Sequence, residues 1–186
     1  MLQLNRKVVT AFYDTMRGLM SVDLEYDDPI IFDDDVVEID ETLVEALRGG
    51  ELQRGRTTGW VFGIVGRDSG KVHLEILPNR KGETLLEVMQ QHVPSNTIVC
   101  GDTWPAYSTL EDDYTLCLVN KGRGSMSYWD QQLCINVHTG TIEGVWSQLH
   151  AVLHVSRGFP AHYVARVLDE FMYRKAGRDI FCLMQI

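Results

Sequence analysis

An acidic residue set inside a β-branched run constrains this chain more than any other feature. Val36–Leu43 reads VVEIDETL. Its alternation puts Val37, Ile39 and Leu43 on one face of an extended strand, and Val36, Glu38, Asp40 and Thr42 on the other. A carboxylate on a rigid strand is held better than one on a loop, which suits a fixed anionic ligand for a cation. Taken alone, the pattern fits an edge strand showing its polar face to water better. Two later acids in similarly apolar settings, Asp102 and Glu143, favour the ligand reading.

The 186 residues, 45% hydrophobic and 23% charged, suffice for one globular domain with a full core and a small appendage. Residues 1–35 read as the appendage, an N-terminal helix and an acidic linker, and 36–186 as the main domain. A net charge of −9 and a pI near 5.0 argue against a protein that simply coats nucleic acid. Much of that charge is local, because ten acids and no Lys or Arg lie between Asp23 and Glu41. Cys100, Cys117, Cys134 and Cys182 form no C-x-x-C pair, which speaks against a structural zinc site or a disulfide framework and for buried reduced thiols. Without a signal core or a membrane-length apolar run, the expectation is a soluble, intracellular protein.

Leu4, Val8, Phe12, Met16, Leu19 and Met20 recur at helical spacing, so Asn5–Ser21 reads as an amphipathic helix docked at the terminus. Asp23–Asp35 reads as a linker, and Glu45–Gly59 as a mobile glycine- and arginine-rich loop. Trp60–Gly66 and Lys71–Leu77 flank Arg67-Asp68-Ser69-Gly70, a hairpin signal in which Gly70 supplies a left-handed position. Helices are expected at Gly82–His92, from Thr103 to Leu110, at Ile142–His154 and at Pro160–Lys175. Strands are expected at Thr97–Cys100 and Tyr114–Val119, and Lys121–Asn136 reads as irregular. The order predicts a mixed α/β layer with helices against a five-stranded sheet.

If the fourth strand runs beside the first, Asp40 and Asp102 become neighbours, and Glu143 opens the first long helix after the sheet. Gathered carboxylates repel and raise one another's pKa unless a cation compensates. Hard oxygen ligands on such a frame suit Mg²⁺ or Mn²⁺. Two such ions, ~4 Å apart, can activate an attacking oxygen and stabilise a leaving one in phosphoryl transfer.

The segments VEIDET, GWVFGIVGRDSGKVHLEILPNRKGETLL, IVCGDTWPAY, HTGTIEGVWSQL and DEFMYR resemble the catalytic domain of the DDE transposases of ISXO-like insertion sequences and their eukaryotic relatives, the Merlin elements. The resemblance runs from about Val36 to Lys175. It implies a ribonuclease-H-like fold, with Asp40, Asp102 and Glu143 as a catalytic, metal-binding triad for two Mg²⁺ or Mn²⁺ ions. It also implies DNA as partner, both element ends and target, bound by a homo-oligomer. Water would cut a strand at the element's end, and the freed 3′-hydroxyl would attack target DNA. The expected location is the nucleus in a eukaryote, or the cytoplasm and nucleoid in a prokaryote.

The departures from the family pattern point elsewhere. The family's His-Thr-Asn before the third acid is His138-Thr139-Gly140 here. The Lys two helical turns after it is His150, still on the face of Glu143 because seven residues bring a helix nearly full circle. The family's Val-Asn-His is Val119-Asn120-Lys121. A zinc ribbon and most of a helix-turn-helix are expected upstream, and Asn5–Ser21 reads as a remnant of the latter. The alternative is therefore a truncated or domesticated copy, a catalytically weakened module that binds DNA or a protein.

His138 is an auxiliary candidate, for a phosphate contact or for orienting Glu143, with a structural histidine as an equal alternative. His150 and His154 allow a His-x-x-x-His zinc site to be drawn, but without a third ligand at a recognised spacing they read as a solvated face. Arg54, Arg56, Arg80, Lys81, Lys121 and Arg123 are the loop cations best placed to meet phosphates. Trp104 and Tyr107 are candidates for stacking on unpaired bases, with core packing expected for at least one.

Overall fold

The computed structural model describes residues 5–26, 30–34, 36–45, 58–123, 126–155 and 161–178. Arg54, Arg56 and Cys182 lie outside them, as does the side chain of Arg123. The sheet is built from β1 (Val36–Glu45), β2 (Thr58–Gly66), β3 (Val72–Leu77), β4 (Ile98–Asp102) and β5 (Thr115–Val119). Its order is β3-β2-β1-β4-β5. The first three strands form an antiparallel meander, and β4 and β5 run parallel to β1. Helices α2 (Gly82–His92), α3 (Gly140–Val155) and α4 (Ala161–Lys175) flank it, with a 3₁₀ turn at Pro105–Leu110. This is the ribonuclease-H-like mixed sheet that the sequence led us to expect.

Strand β1 is central and buried on both faces, which removes the edge-strand alternative. On one face Val37 and Ile39 pack with Phe62, Ile64 and the α2 residues Leu85 and Met89. On the other, Val61, Val65 and Leu74 meet Ile142, Trp146 and Leu149 of α3 and Leu168 and Phe171 of α4. Each such side chain contributes roughly 1.5–3 kcal/mol when it leaves water. The run WVFGIVG is apolar on both faces because β2 is covered on both, as a strand inside a layered sheet must be.

Gly63 lies opposite Asp40 in the β1–β2 ladder and makes room for Trp146. A Cβ there would stand 2.5 Å from the indole Cη2 and 2.7 Å from Cζ2. Gly63→Ala is therefore expected to cost about 1–3 kcal/mol by overpacking. Urea unfolding measures the loss, and unchanged stability would show that the indole can move aside freely.

The hairpin turn takes the form its sequence indicates, with Gly70 at φ +67°. Its unpaired donors are satisfied from the stretch read as a linker. The carboxylate of Asp34 accepts the N–H groups of Asp68 (2.9 Å) and Ser69 (2.6 Å) and the Ser69 hydroxyl (2.8 Å). That stretch also begins later than expected, because α1 (Arg6–Tyr26) continues to Tyr26. Only the second half of α1 docks, through Met16 and Met20 against Tyr173 of α4, while Val8 and Phe12 stay exposed. Arg17 pairs with Glu170 at 2.7 Å, and the Ser21 hydroxyl donates to Asp169 at 2.6 Å.

Lys121–Asn136 is not irregular. After a 3₁₀ turn at Lys121–Arg123, the strands β6 (Ser127–Asp130) and β7 (Ile135–His138) form an antiparallel hairpin. Asp130 closes it by accepting the N–H groups of Gln132 (2.9 Å) and Leu133 (3.0 Å), and Cys134 takes φ +54°. Asp side chains make such local turns without glycine, so the glycine-poor turn gave no warning. Cys100 and Cys117 are buried thiols as expected, but Cys134 in this turn is exposed. Among the described residues, no helix is long and apolar enough to cross a membrane.

Candidate active site

The parallel pairing of β1 with β4 sets Val36 against Ile98, Val37 against Val99 and Glu38 against Cys100. Two residues further along each strand, the same register brings Asp40 level with Asp102 on one face of the sheet. Asp40 accepts the Glu41 N–H at 3.0 Å and the Trp146 indole N–H at 3.2 Å. Burial, with the charge of Asp102 adding to it and that of Lys121 opposing, lifts Asp40 to about 6. Asp102 Oδ1 is buried and, among the described residues, accepts no hydrogen bond.

Glu143 arrives from the first turn of α3, and a buried carboxylate fixes where that helix begins. Glu38 is wholly buried. Its Oε2 accepts the N–H groups of Thr141 (2.8 Å) and Ile142 (3.0 Å), and its Oε1 accepts the Thr141 hydroxyl at 2.9 Å. An anion at a helix N-terminus satisfies orphan donors and meets the positive end of the helix dipole. Arg67, from the β2–β3 turn, neutralises Glu38 with Nε at 2.8 Å. Its other nitrogens donate to the carbonyls of Asn136 (2.7 Å) and His138 (2.8 Å) on β7. Strand β1, the β2–β3 turn, β7 and α3 are thus tied at one point. Glu143 then takes the Thr139 hydroxyl at 3.0 Å.

Lys121 enters this group of acids. Its Nζ is 2.7 Å from Glu143 Oε1. Burial pulls Lys121 down, but the bond to Glu143 and the charges of Asp40 and Asp102 outweigh it, and its pKa rises. The same bond holds Glu143 below its ordinary value. One ammonium therefore feels all three carboxylates.

Arg80 is not a free loop cation, because it donates to Glu41 Oε2 at 2.7 Å and stacks between Trp60 (3.8 Å) and Trp104 (4.1 Å). Trp104 is accordingly covered on one face by a guanidinium, with its indole N–H buried and unpartnered. Burial raises Glu41, with Arg80 opposing. Tyr107 is fully buried, its hydroxyl raised by burial and by Glu41, Asp40 and Asp102, so it packs in the core beside the acids and stacks on nothing outside. Lys81 is exposed at the start of α2. His150 meets the Thr42 hydroxyl at 2.9 Å. His138 Nδ1 accepts the Gly140 N–H at 3.1 Å and lies 3.1 Å from Glu38 Oε1, within the Glu38–Arg67 knot. A Cβ at Gly140 would touch only His138 Nδ1, at an ordinary 3.5 Å.

The model of the ISXO2-like transposase domain matches residues 33–176. The chain belongs to this family. The ISXO2-like assignment covers every element from β1 to α4. No curated protein sequence matches the chain. Among solved structures it is similar to a chain of the simian T-cell lymphotropic virus intasome in complex with the PP2A regulatory subunit B56 gamma, at 11% identity and TM-score 0.45. That match covers 79% of this chain and 49% of that one, so the chain spans about half the length of the intasome chain. The HTLV-2 integrase catalytic core domain in complex with magnesium matches at 11% identity and TM-score 0.41, over 74% of this chain and 83% of that one. The catalytic core domain of BIV integrase matches at 13% and 0.41, over 75% and 81%.

Sequence reasoning missed Glu38 and Arg67 as the pair that places α3, and Glu41 as a third buried carboxylate beside Asp40. The signal for Glu38 was present, since it shares the alternating face of Asp40. Nothing local pointed to Arg67, whose partner lies 29 positions away.

Proposed function

We propose that this ISXO2-like transposase domain cleaves and joins DNA strands, with Asp40, Asp102 and Glu143 holding two Mg²⁺ or Mn²⁺ ions. The observation that carries the reading is the buried, unpartnered Asp102 Oδ1 level with an Asp40 that burial has lifted to about 6. Buried carboxylates without partners are rare unless a cation serves them. Bound ions would supply the charge that activates an attacking oxygen and stabilises a leaving one. Asp40 is oriented by Trp146 and by its own strand, Asp102 by the β4 ladder, and Glu143 by the helix start that Glu38 fixes.

In the proposed reaction, water attacks a phosphodiester at the element end, giving a 5′-phosphate and a free 3′-hydroxyl. That hydroxyl then attacks a target phosphodiester, forming one P–O bond as another breaks and releasing a target 3′-hydroxyl. Residues 36–186 serve as the catalytic unit and α1 as part of a DNA-reading segment. DNA ends and target are the partners, and a homo-oligomer assembled on DNA would hold them together. Lys81, Arg54, Arg56 and Arg123 remain the proposed phosphate contacts, and Trp104, partly buried between the core and Arg80, remains the proposed base contact.

Lys121 favours one further reading, a catalytically weakened module that binds DNA or a protein, because a tethered ammonium already answers the triad's charge. Mn²⁺ calorimetry separates the two. The wild type is expected to bind, and Asp102→Asn to lose binding while staying folded. Lys121→His is expected to bind about two- to fivefold more tightly, the worth of one partly exposed ion pair. A folded wild type that binds no Mn²⁺ with or without DNA would reject the enzyme and leave the module.

A further inference from the structure

We propose that His73, Glu75 and His92 form a second cation site, for a zinc-class ion, apart from the three carboxylates. His73 and Glu75 are two apart on β3, so their side chains leave the same face of the sheet. His92 is the last residue of α2. One ligand atom from each of the three lies within 4.8 Å of the others. The imidazoles of His73 and His92 stack with centroids 3.7 Å apart, and His73 Nε2 is 3.4 Å from Glu75 Oε2.

The second observation is the outer partner of His92. Its Nδ1 lies 2.9 Å from the Ile30 carbonyl oxygen, an atom that can only accept, so Nδ1 carries the proton. The lone pair is then on Nε2, the arrangement that carbonyl-bonded histidine ligands adopt around metals. A cavity of about 380 Å³ adjoins all three residues and also reaches Glu25, Asp169 and Arg178, the last paired with Asp23, so there is room for a water as fourth ligand.

Two imidazoles and a carboxylate select zinc or its neighbours over Mg²⁺, which prefers oxygen alone. A tetrahedral ion with bonds of about 2.0–2.1 Å brings its donors to roughly 3.3 Å, so the rings part slightly and the three atoms draw together. The strand order keeps this site away from the triad, since β3 is the outer strand and β2 and β1 separate it from β4. An ion here would fasten β3 to the end of α2 and, through Ile30, to the segment that enters β1. The inference stands whether or not the carboxylate triad is active.

Chelator-treated protein carrying Asp40→Asn is titrated with Co²⁺ and Zn²⁺, which separates this site from the triad. The expected result is the strong visible absorption of four-coordinate Co²⁺ at about one equivalent per chain, displaced by Zn²⁺. At a hundredfold excess of Zn²⁺ over its Kd, Tm is expected to rise by roughly 5–10 °C. His73→Gln with Glu75→Gln is expected to abolish both signals, and Glu75→Gln alone, a partly exposed position, to weaken binding about tenfold with the metal-free Tm unchanged. Six-coordinate spectra only, no binding by the folded protein, or full binding by the double variant would each overturn the proposal.

Discussion

Asp40→Asn is expected to produce a protein that is more stable than the wild type at neutral pH and unable to act on DNA. Asp40 ionises near 6 in the fold against 3.8 for the ordinary group, chiefly through burial. Well below 3.8 both folded and unfolded chains hold the proton, and nothing is lost. Between about 4 and 6 the unfolded chain ionises while the fold stays protonated, so stability falls as pH rises, and above 6 the whole loss stands. The rise from 3.8 to about 6 sets a ceiling of about 3 kcal/mol, which partial solvent access reduces to about 1–2 kcal/mol. Asn removes that loss, raising Tm by roughly 2–8 °C at pH 7.5 and by almost nothing at about pH 3. Mg²⁺ should stabilise the wild type at pH 7.5 and leave the variant unmoved. Strand cleavage should fall by more than the roughly 10–100-fold that outer-shell groups carry, because a ligand itself is gone. A variant that still cleaves, or whose Tm still rises with Mg²⁺, would remove Asp40 from the site.

Glu38→Ala is expected to cost about 3–5 kcal/mol, the usual loss when one partner of a buried ion pair is deleted. The guanidinium of Arg67 would be left without its anion, and the N–H groups of Thr141 and Ile142 without their acceptor. Because Glu143 stands in that first turn, the same change should loosen cation binding. Arg67→Ala strips the opposite partner and should lose a similar amount, whereas the double variant should fall well short of the sum. Chemical denaturation of the three proteins checks this, and additive losses would show that the pair is not a unit.

Much of this was legible because the acids lie in short apolar strands whose order and register carry them together. Asp40 and Asp102 needed only the parallel pairing of two recognisable strands. The hairpin with Gly70, and helices α2, α3 and α4, follow from periodicity and turn residues. What stayed hidden depends on partners far apart in the chain. Arg80 looks like any loop cation until Trp60, Trp104 and Glu41 close around it. His73 and His92 meet across a strand and a helix end that no spacing rule connects. The β6–β7 hairpin escaped because an aspartate, without glycine, makes its turn.

Hairpin tips are ordinarily where a protein accepts insertions, tags and drift in length. The tip between β2 and β3 differs, since Asp34 accepts its backbone N–H groups and Arg67 reaches from it to β7 and to Glu38, which holds the start of α3. A residue added between Arg67 and Gly70 would lengthen a surface loop on paper, yet shift the anchor of Glu143 in space. Among the described surface turns, that one should be the least tolerant of engineering.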